Sequence, residues 1–352
     1  MATPPSMARE ADEIDLFELV AAVWAQKVLL IGFIVVATAV AAAYAFLAKP
    51  VYEARLYLEP PTLNEIADFN YGRTRDAELT PYTINDVYGV YARNLQGESL
   101  RRAFFADVYL PSLTEGQRQG SQDALYSDFL NTLTISGPSK EMPDRYSVAV
   151  YGHDPVEATA WVRAFAARAG AQAKEEVITN LKREAEVRAR NLDQQINTLQ
   201  ETESRVRNDA ISRLQEALTV AKAIGLENPP IISGSVAVEI TAAMDGQLTY
   251  MRGTKALSAE IKNLQERRSD DPFITNLRAL QIKRSFYEAL RVNADNVAVY
   301  RQDGSIDVPD RPIKPKKGLI IAGGFIAGGI LGVLFALGRY LVALRRKSVY
   351  RS

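Results

Sequence analysis

Val28 to Ala48 reads VLLIGFIVVATAVAAAYAFLA, and Gly318 to Gly338 reads GLIIAGGFIAGGILGVLFALG. Each stretch is 21 residues without a charged side chain, and at ~1.5 Å of helical rise per residue each covers about 30 Å, the thickness of a bilayer's hydrocarbon core. Both read as membrane-spanning helices, and the rest of the chain is arranged around them. The 352 residues hold 42 basic and 42 acidic side chains, of which 35 and 37 lie between the two windows in 49–317. A formal charge of zero removes any overall electrostatic case for nucleic acid. The absence of cysteine excludes a disulfide framework, a thiolate zinc site and a cysteine nucleophile, and a single histidine, His153, excludes the common histidine-based metal and triad chemistries.

The first window competes with a cleaved signal peptide, since Ala43 and Ala45 resemble a cleavage site. The flanks decide for an uncleaved anchor: a signal wants a basic lead and roughly 7–15 apolar residues, whereas Glu10, Asp12, Glu13, Asp15 and Glu18 precede a longer stretch. Two spans put both termini on one side. The tail after the second, with Arg339, Arg345, Arg346, Lys347 and Arg351 and no acid, marks that side as cytoplasmic. The 269 residues from Lys49 to Lys317 are then outside, in the periplasm. One feature runs against this assignment: Arg311, Lys314, Lys316 and Lys317 crowd the outer flank of the second span. Long domains translocate largely regardless of charge, so the span count and the tail outweigh it.

Just past the first span, Val51 to Glu59 alternates β-branched and aromatic residues until Pro60 and Pro61, which predicts a strand. Leu133 to Ser136, Tyr146 to Tyr151 and Val297 to Arg301 repeat the pattern, so strands come from both membrane-proximal ends of the domain. Residues 83–130 read as short helices, with Tyr82, Tyr88, Tyr91 and Tyr126 as core or lid aromatics. At Asp154-Pro155, a good cap followed by a proline suited to the first helical position, the period changes. Apolar residues then recur helically through Leu181, Ala185, Leu192, Ile196, Leu199, Val206, Leu214, Ala217 and Ala221 until Gly225, Pro229 and Pro230. The spacing predicts one helix over about 154–224, extending ~100 Å, followed by return helices over about 254–291, the last of them capped by Ser269-Asp270-Asp271-Pro272. Glu203 and Arg213 interrupt the heptad steps, so packing against several neighbours suits the long helix better than a two-stranded coiled coil.

No G-x-x-x-x-G-K-[ST], H-E-x-x-H or G-x-S-x-G motif occurs. Ser233-Gly234-Ser235 reads as a loop, Asp270-Asp271 before a proline as a capping arrangement, and His153 as a strand-end polar residue. Within the second window, Gly324, Gly328 and Gly332 fall at i, i+4 and i+8 with Gly323 and Gly329 beside them, and Ala37, Ala41 and Ala45 take the same spacing in the first. Small-residue faces let helices approach closely in lipid, so a helix contact is expected, within a chain or between chains. Pro309, Pro312 and Pro315 make a stiff, donor-poor lead into the second span, which composition alone reads as a spacer.

The ordered set Ile14-Asp15-Leu16-Phe17-Glu18-Leu19, Trp24, Lys27, a span, Pro50-Val51-Tyr52-Glu53-Ala54, Ala221-Lys222-Ala223-Ile224-Gly225, Tyr250 to Leu257, Ser269 to Ile274, Pro312-Ile313-Lys314-Pro315-Lys316-Lys317 and a glycine-rich span resembles the Wzz-type chain-length determinants. These are polysaccharide co-polymerases of Gram-negative inner membranes, and the resemblance runs from Ile14 to Arg339. It implies an α/β membrane protein in which two transmembrane helices flank a periplasmic α/β base with a long extended helical arm. It further implies a ring-shaped homo-oligomer of about eight subunits and no cofactor. The partner implied is an integral-membrane O-antigen polymerase, with the lipid-linked polysaccharide itself as a further candidate. A related class carries a cytoplasmic kinase domain; the missing phosphate loop and 14-residue tail set this chain outside it. Carried over by position, the interaction residues are Pro312, Pro315, Lys316, Lys317, Gly323, Gly324, Gly328 and Gly332. The helical stripe assigns oligomer packing to Leu192, Ile196, Leu199 and Val206. The resemblance implies a non-enzymatic regulator that sets the modal length of O-antigen; the competing readings are a periplasmic helical adaptor of an export system and a polymerising enzyme.

Overall fold

The computed structural model describes residues 16–230, 246 and 248–349; Ile14, Asp15, the Ser233-Gly234-Ser235 loop and Arg351 lie outside the described residues. The chain divides into two compact units, the first holding residues up to 61, 91–172 and 300 onward, the second 62–90 and 173–299.

In the first unit, α1 (Leu16–Ala25) and α2 (Lys27–Leu47) meet at Gln26. Four residues separate the end of α2 from β1 (Tyr52–Glu59). Ala54, Leu56 and Leu58 of β1 are buried while Arg55 and Tyr57 are exposed, the period-2 pattern of a half-buried strand. Pro60 and Pro61, which bring no N–H for a sheet ladder, follow its last residue. The part of α3 (Ile84–Gln96) from Tyr91 on, α4 (Glu98–Phe104), a π-turn over Phe105–Tyr109, and α5 (Gln122–Thr132) also belong to this unit. Phe104, Phe105, Tyr109, Tyr126, Phe129, Trp161 and Phe165 form an aromatic core with ring centroids 5.2–6.4 Å apart. β2 (Leu133–Ser136), β3 (Tyr146–Gly152) and β4 (Arg301–Asp303) complete an antiparallel sheet in the order β2-β3-β1-β4. Its register sets Tyr52 opposite Gly152 and Glu59 opposite Arg301.

α6 (Pro155–Ala223) is 69 residues long. It starts where Asp154 Oδ1 accepts the N–H of Val156 at 2.8 Å and of Glu157 at 3.4 Å. It stops at Gly225, whose φ of +73° turns the chain so that Leu226 N–H reaches Ala221 O at 2.9 Å and Gly225 N–H reaches Lys222 O at 3.2 Å. That pair of bonds is a Schellman motif, and glycine adopts its left-handed residue without a Cβ penalty. Within the second unit, α7 (Gly253–Glu266) sets Leu257 and Ile261 against Leu214 and Ala221 of α6. α8 (Leu277–Ala289) sets Tyr287 against Ala185 and Ala189, with Ala77 and Leu79 alongside, and Tyr287 OH donates to Ala77 O at 2.6 Å.

Two local expectations fail. Ser269 to Pro272 does not cap α8: Asp271–Phe273 is a separate 3-10 turn, and Asn276 at φ +64° starts the helix. Asp270 is instead committed to Arg207 at 2.9 Å and Arg267 at 3.5 Å. Nor is Val297 to Arg301 a strand, since pairing begins only at Arg301. Val297 and Val299 are buried as the alternation demands, but Ala298 N–H bonds to Glu65 O and Tyr300 stacks on Tyr91 at 4.3 Å. Burial alternates there without a ladder partner.

α9 (Lys317–Val349) closes the chain. Together with α2 it leaves Val35, Val36, Val40, Phe325, Ile326, Ile330 and Leu334 exposed. A soluble core helix hides such residues; helices of this length and composition that present them outward suit lipid.

Candidate functional site

α2 and α9 pack face to face through the glycines. A Cβ placed on Gly324 falls 2.5 Å from Ala41 Cβ and 3.1 Å from Ala37 O, one on Gly328 falls 2.8 Å from Ile34 Cα, and one on Gly332 falls 3.1 Å from Leu30 Cα. These three positions therefore lie against the backbone of α2, and only hydrogen fits at Gly324 and Gly328 without displacement. The contact that the small-residue spacing left open lies within one chain. Gly323 and Gly329 have nothing within 4 Å of an added Cβ and face away. Phe33 and Phe335 meet at 5.3 Å. At one end of the pair Gln26 Nε2 donates to Ala336 O at 3.1 Å, beside a cavity of about 560 Å³ lined by Gln26, Leu29, Arg339 and Tyr340. Gln26 and Ala336 escaped the sequence reading; the only signal was a lone amide at the lip of an apolar window.

The other end is held by main chain. Val51 N–H bonds to Lys314 O at 3.0 Å and Ile313 N–H to Val51 O at 2.8 Å, so the proline-rich lead forms a bridge to the residue that precedes β1. Pro312 and Lys316 are exposed and Pro315 is half-buried, with a cis Lys314–Pro315 bond. Lys317 Nζ sits 4.7 Å from the centroid of Phe46, and His153 Nδ1 lies 2.7 Å from Pro50 O. Further along, Arg145 pairs with Glu59 at 3.2 Å and with Asp303, while Arg301 reaches Glu59 at 3.1 Å. The hydrogen bond from Arg145 holds the Glu59 carboxyl below its ordinary range. This network ties β4, the last strand before the lead, to the centre of the sheet.

A profile described as "Chain length determinant protein", the Wzz family, matches residues 12–108. Chain length determinant proteins of Escherichia coli and Salmonella typhimurium are 22% and 21% identical, covering 94% and 96% of this chain and 93% and 95% of theirs. A solved full-length bacterial polysaccharide co-polymerase superposes with a TM-score of 0.67 at 21% identity, over 94% of this chain and 99% of that one. The chain is thus similar to chain length determinant proteins over more than nine-tenths of its length. Its fold is that of the co-polymerase, two apolar helices flanking a mostly helical domain with a sheet.

The four stripe residues of α6 divide. Leu192 packs against the Ala185–Tyr287 cluster and Ile196 is 3% exposed, so both are covered from within. Leu199 is half-buried, and Val206 is 47% exposed and open. The side chains that resemble acid–base candidates are occupied: His153 by a backbone carbonyl, Asp270 by two arginines, Asp154 by helix N–H groups. What the arrangement offers is surfaces and a close-packed helix pair.

Proposed function

We propose that this protein is a non-enzymatic regulator of polysaccharide chain length, setting the modal length of lipopolysaccharide O-antigen made by an inner-membrane polymerase. The observation that carries this reading is the likeness to chain length determinants over more than nine-tenths of the chain, both spans included. The protein sits in the bacterial inner membrane with both termini cytoplasmic and its main domain, within 49–317, periplasmic; the basic tail supports that orientation. It works as a ring-shaped homo-oligomer of about eight copies, beside the integral-membrane polymerase and the lipid-linked polymer. Assembly would cover Val187, Val206 and Val220, which stay exposed along the long helix.

Deleting the gene and resolving the surface polysaccharide on a gel tests the reading. Polymer that persists while its clustered lengths collapse to a random, mostly short ladder, restored by complementation, is the expected result. Complete loss of polymer would instead assign the protein to synthesis or export. Native mass spectrometry of the full chain in detergent tests the stoichiometry.

A further inference from the structure

The cations on the outer flank of the spans are not scattered. The main-chain bridge between Val51 and Ile313–Lys314 brings the exit of the first span and the entry of the second to one level. Lys49 stands two residues before Val51, and Lys316 two residues after Lys314. Lys317, resting on Phe46 at the end of α2, ties the same level to the last turn of the first span. Lys49, Lys314 and Lys316 are all exposed, and no ion pair involves them among the described residues. The acids nearby are occupied: Asp310 faces Arg311 at 3.9 Å, Glu53 pairs with Arg55, and Asp154 caps α6. Five cations, Lys49, Lys314, Lys316, Lys317 and Arg311, thus stand beside acids that are already engaged, on the side of the membrane where the positive-inside tendency disfavours them. Such a concentration of charge at a headgroup layer attracts anions there.

The geometry points to a phosphate-binding collar in which Lys49, Lys314 and Lys316, flanked by Lys317 and Arg311, hold the phosphate of a lipid in the outer leaflet. The inference rests on the orientation given under the proposed function. On that reading the lipid is the diphosphate carrier of the growing saccharide, and the collar keeps the polymer's lipid end beside the span pair. The side chains are free to be exchanged, because the bridge uses the carbonyl of Lys314 and not its ammonium.

The test uses the full chain in nanodiscs of phosphatidylcholine, with a long-chain polyprenyl diphosphate, the matching polyprenol and phosphatidylglycerol as probes. The diphosphate is expected to bind more tightly than the alcohol. The triple variant Lys49→Gln, Lys314→Gln, Lys316→Gln is expected to weaken diphosphate binding by about tenfold or more, given the attraction of each exposed lysine to anionic lipid. Arg339→Gln, at the opposite end of the spans, is expected to leave it unchanged, and an unaltered melting curve verifies that each variant is folded. Diphosphate favoured over phosphatidylglycerol supports the carrier as the source; equal binding of the two supports phosphate recognition with bulk phospholipid as the source. Equal binding of alcohol and diphosphate, or a triple variant within twofold of the natural protein, overturns the collar. If the collar binds as expected but gene deletion leaves polymer lengths unchanged, the regulator reading fails and the collar stands.

Discussion

The pairing of α2 with α9 and that of α6 with α7 are built on opposite principles. Where α2 meets α9, the close contact runs along the glycines: Gly324, Gly328 and Gly332 lie on Ala41, Ile34 and Leu30, while Val35, Val36, Val40, Phe325, Ile326 and Ile330 point outward. Where α6 meets α7, Leu257 and Ile261 interlock with Leu214 and Ala221, while Ile211, Leu218 and Leu264 close the margins. The solvent explains the difference. In water, burying a leucine is favourable because it removes apolar area from the solvent, at about 25 cal/mol per Å². In lipid the surrounding chains are as apolar as the leucine, so close packing of small residues, helped by interhelical hydrogen bonds, favours the pair instead. Residues that look weak by the rules of one region therefore hold the other together.

Substitutions that exchange the two logics break the comparison most directly. Leu257→Ala, at a fully buried site, should destabilise the second unit by about 2–5 kcal/mol, read as an earlier urea transition of the 62–90 and 173–299 segments by hydrogen exchange. Gly328→Leu or Gly324→Leu should cost roughly 1–3 kcal/mol through overpacking. It should separate the spans in disulfide-trapping assays with cysteines introduced at Phe33 and Phe335, and alter polymer length while the protein stays inserted; unchanged length distributions in both variants would refute a role for the contact. Gly323→Leu, one residue away but facing open space, should shift stability by under about 0.5 kcal/mol. An effect of Gly323→Leu on polymer length with the span pair intact would expose a second, outward-facing contact.

The two spans were legible because a run of uncharged residues long enough to cross a bilayer needs no partner to be recognised. The long helix was legible for a similar reason: its start at Asp154-Pro155 and its stop at Gly225 are local chemistry, and its apolar period survives 69 residues. The Val297 to Arg301 segment was not, since strand propensity describes a side-chain pattern and a strand needs a ladder partner that only the fold supplies. Asp270 misled in the same way: a capping carboxylate and an ion-paired carboxylate look alike until Arg207, far off in the chain, arrives beside it.

The glycine spacing announced by itself that one face of the second span is bare, because small residues at i, i+4 and i+8 share a side of any α-helix. Which glycines meet a partner, and that the partner is the first span of the same chain, was decided only in three dimensions. Rotation about the helix axis turns Gly324, Gly328 and Gly332 inward and Gly323 outward. The lysines follow the same division. Their number and their place on the flank of a span are sequence facts, while their gathering at one level depends on the backbone bridge at Val51, formed between residues more than two hundred and fifty positions apart.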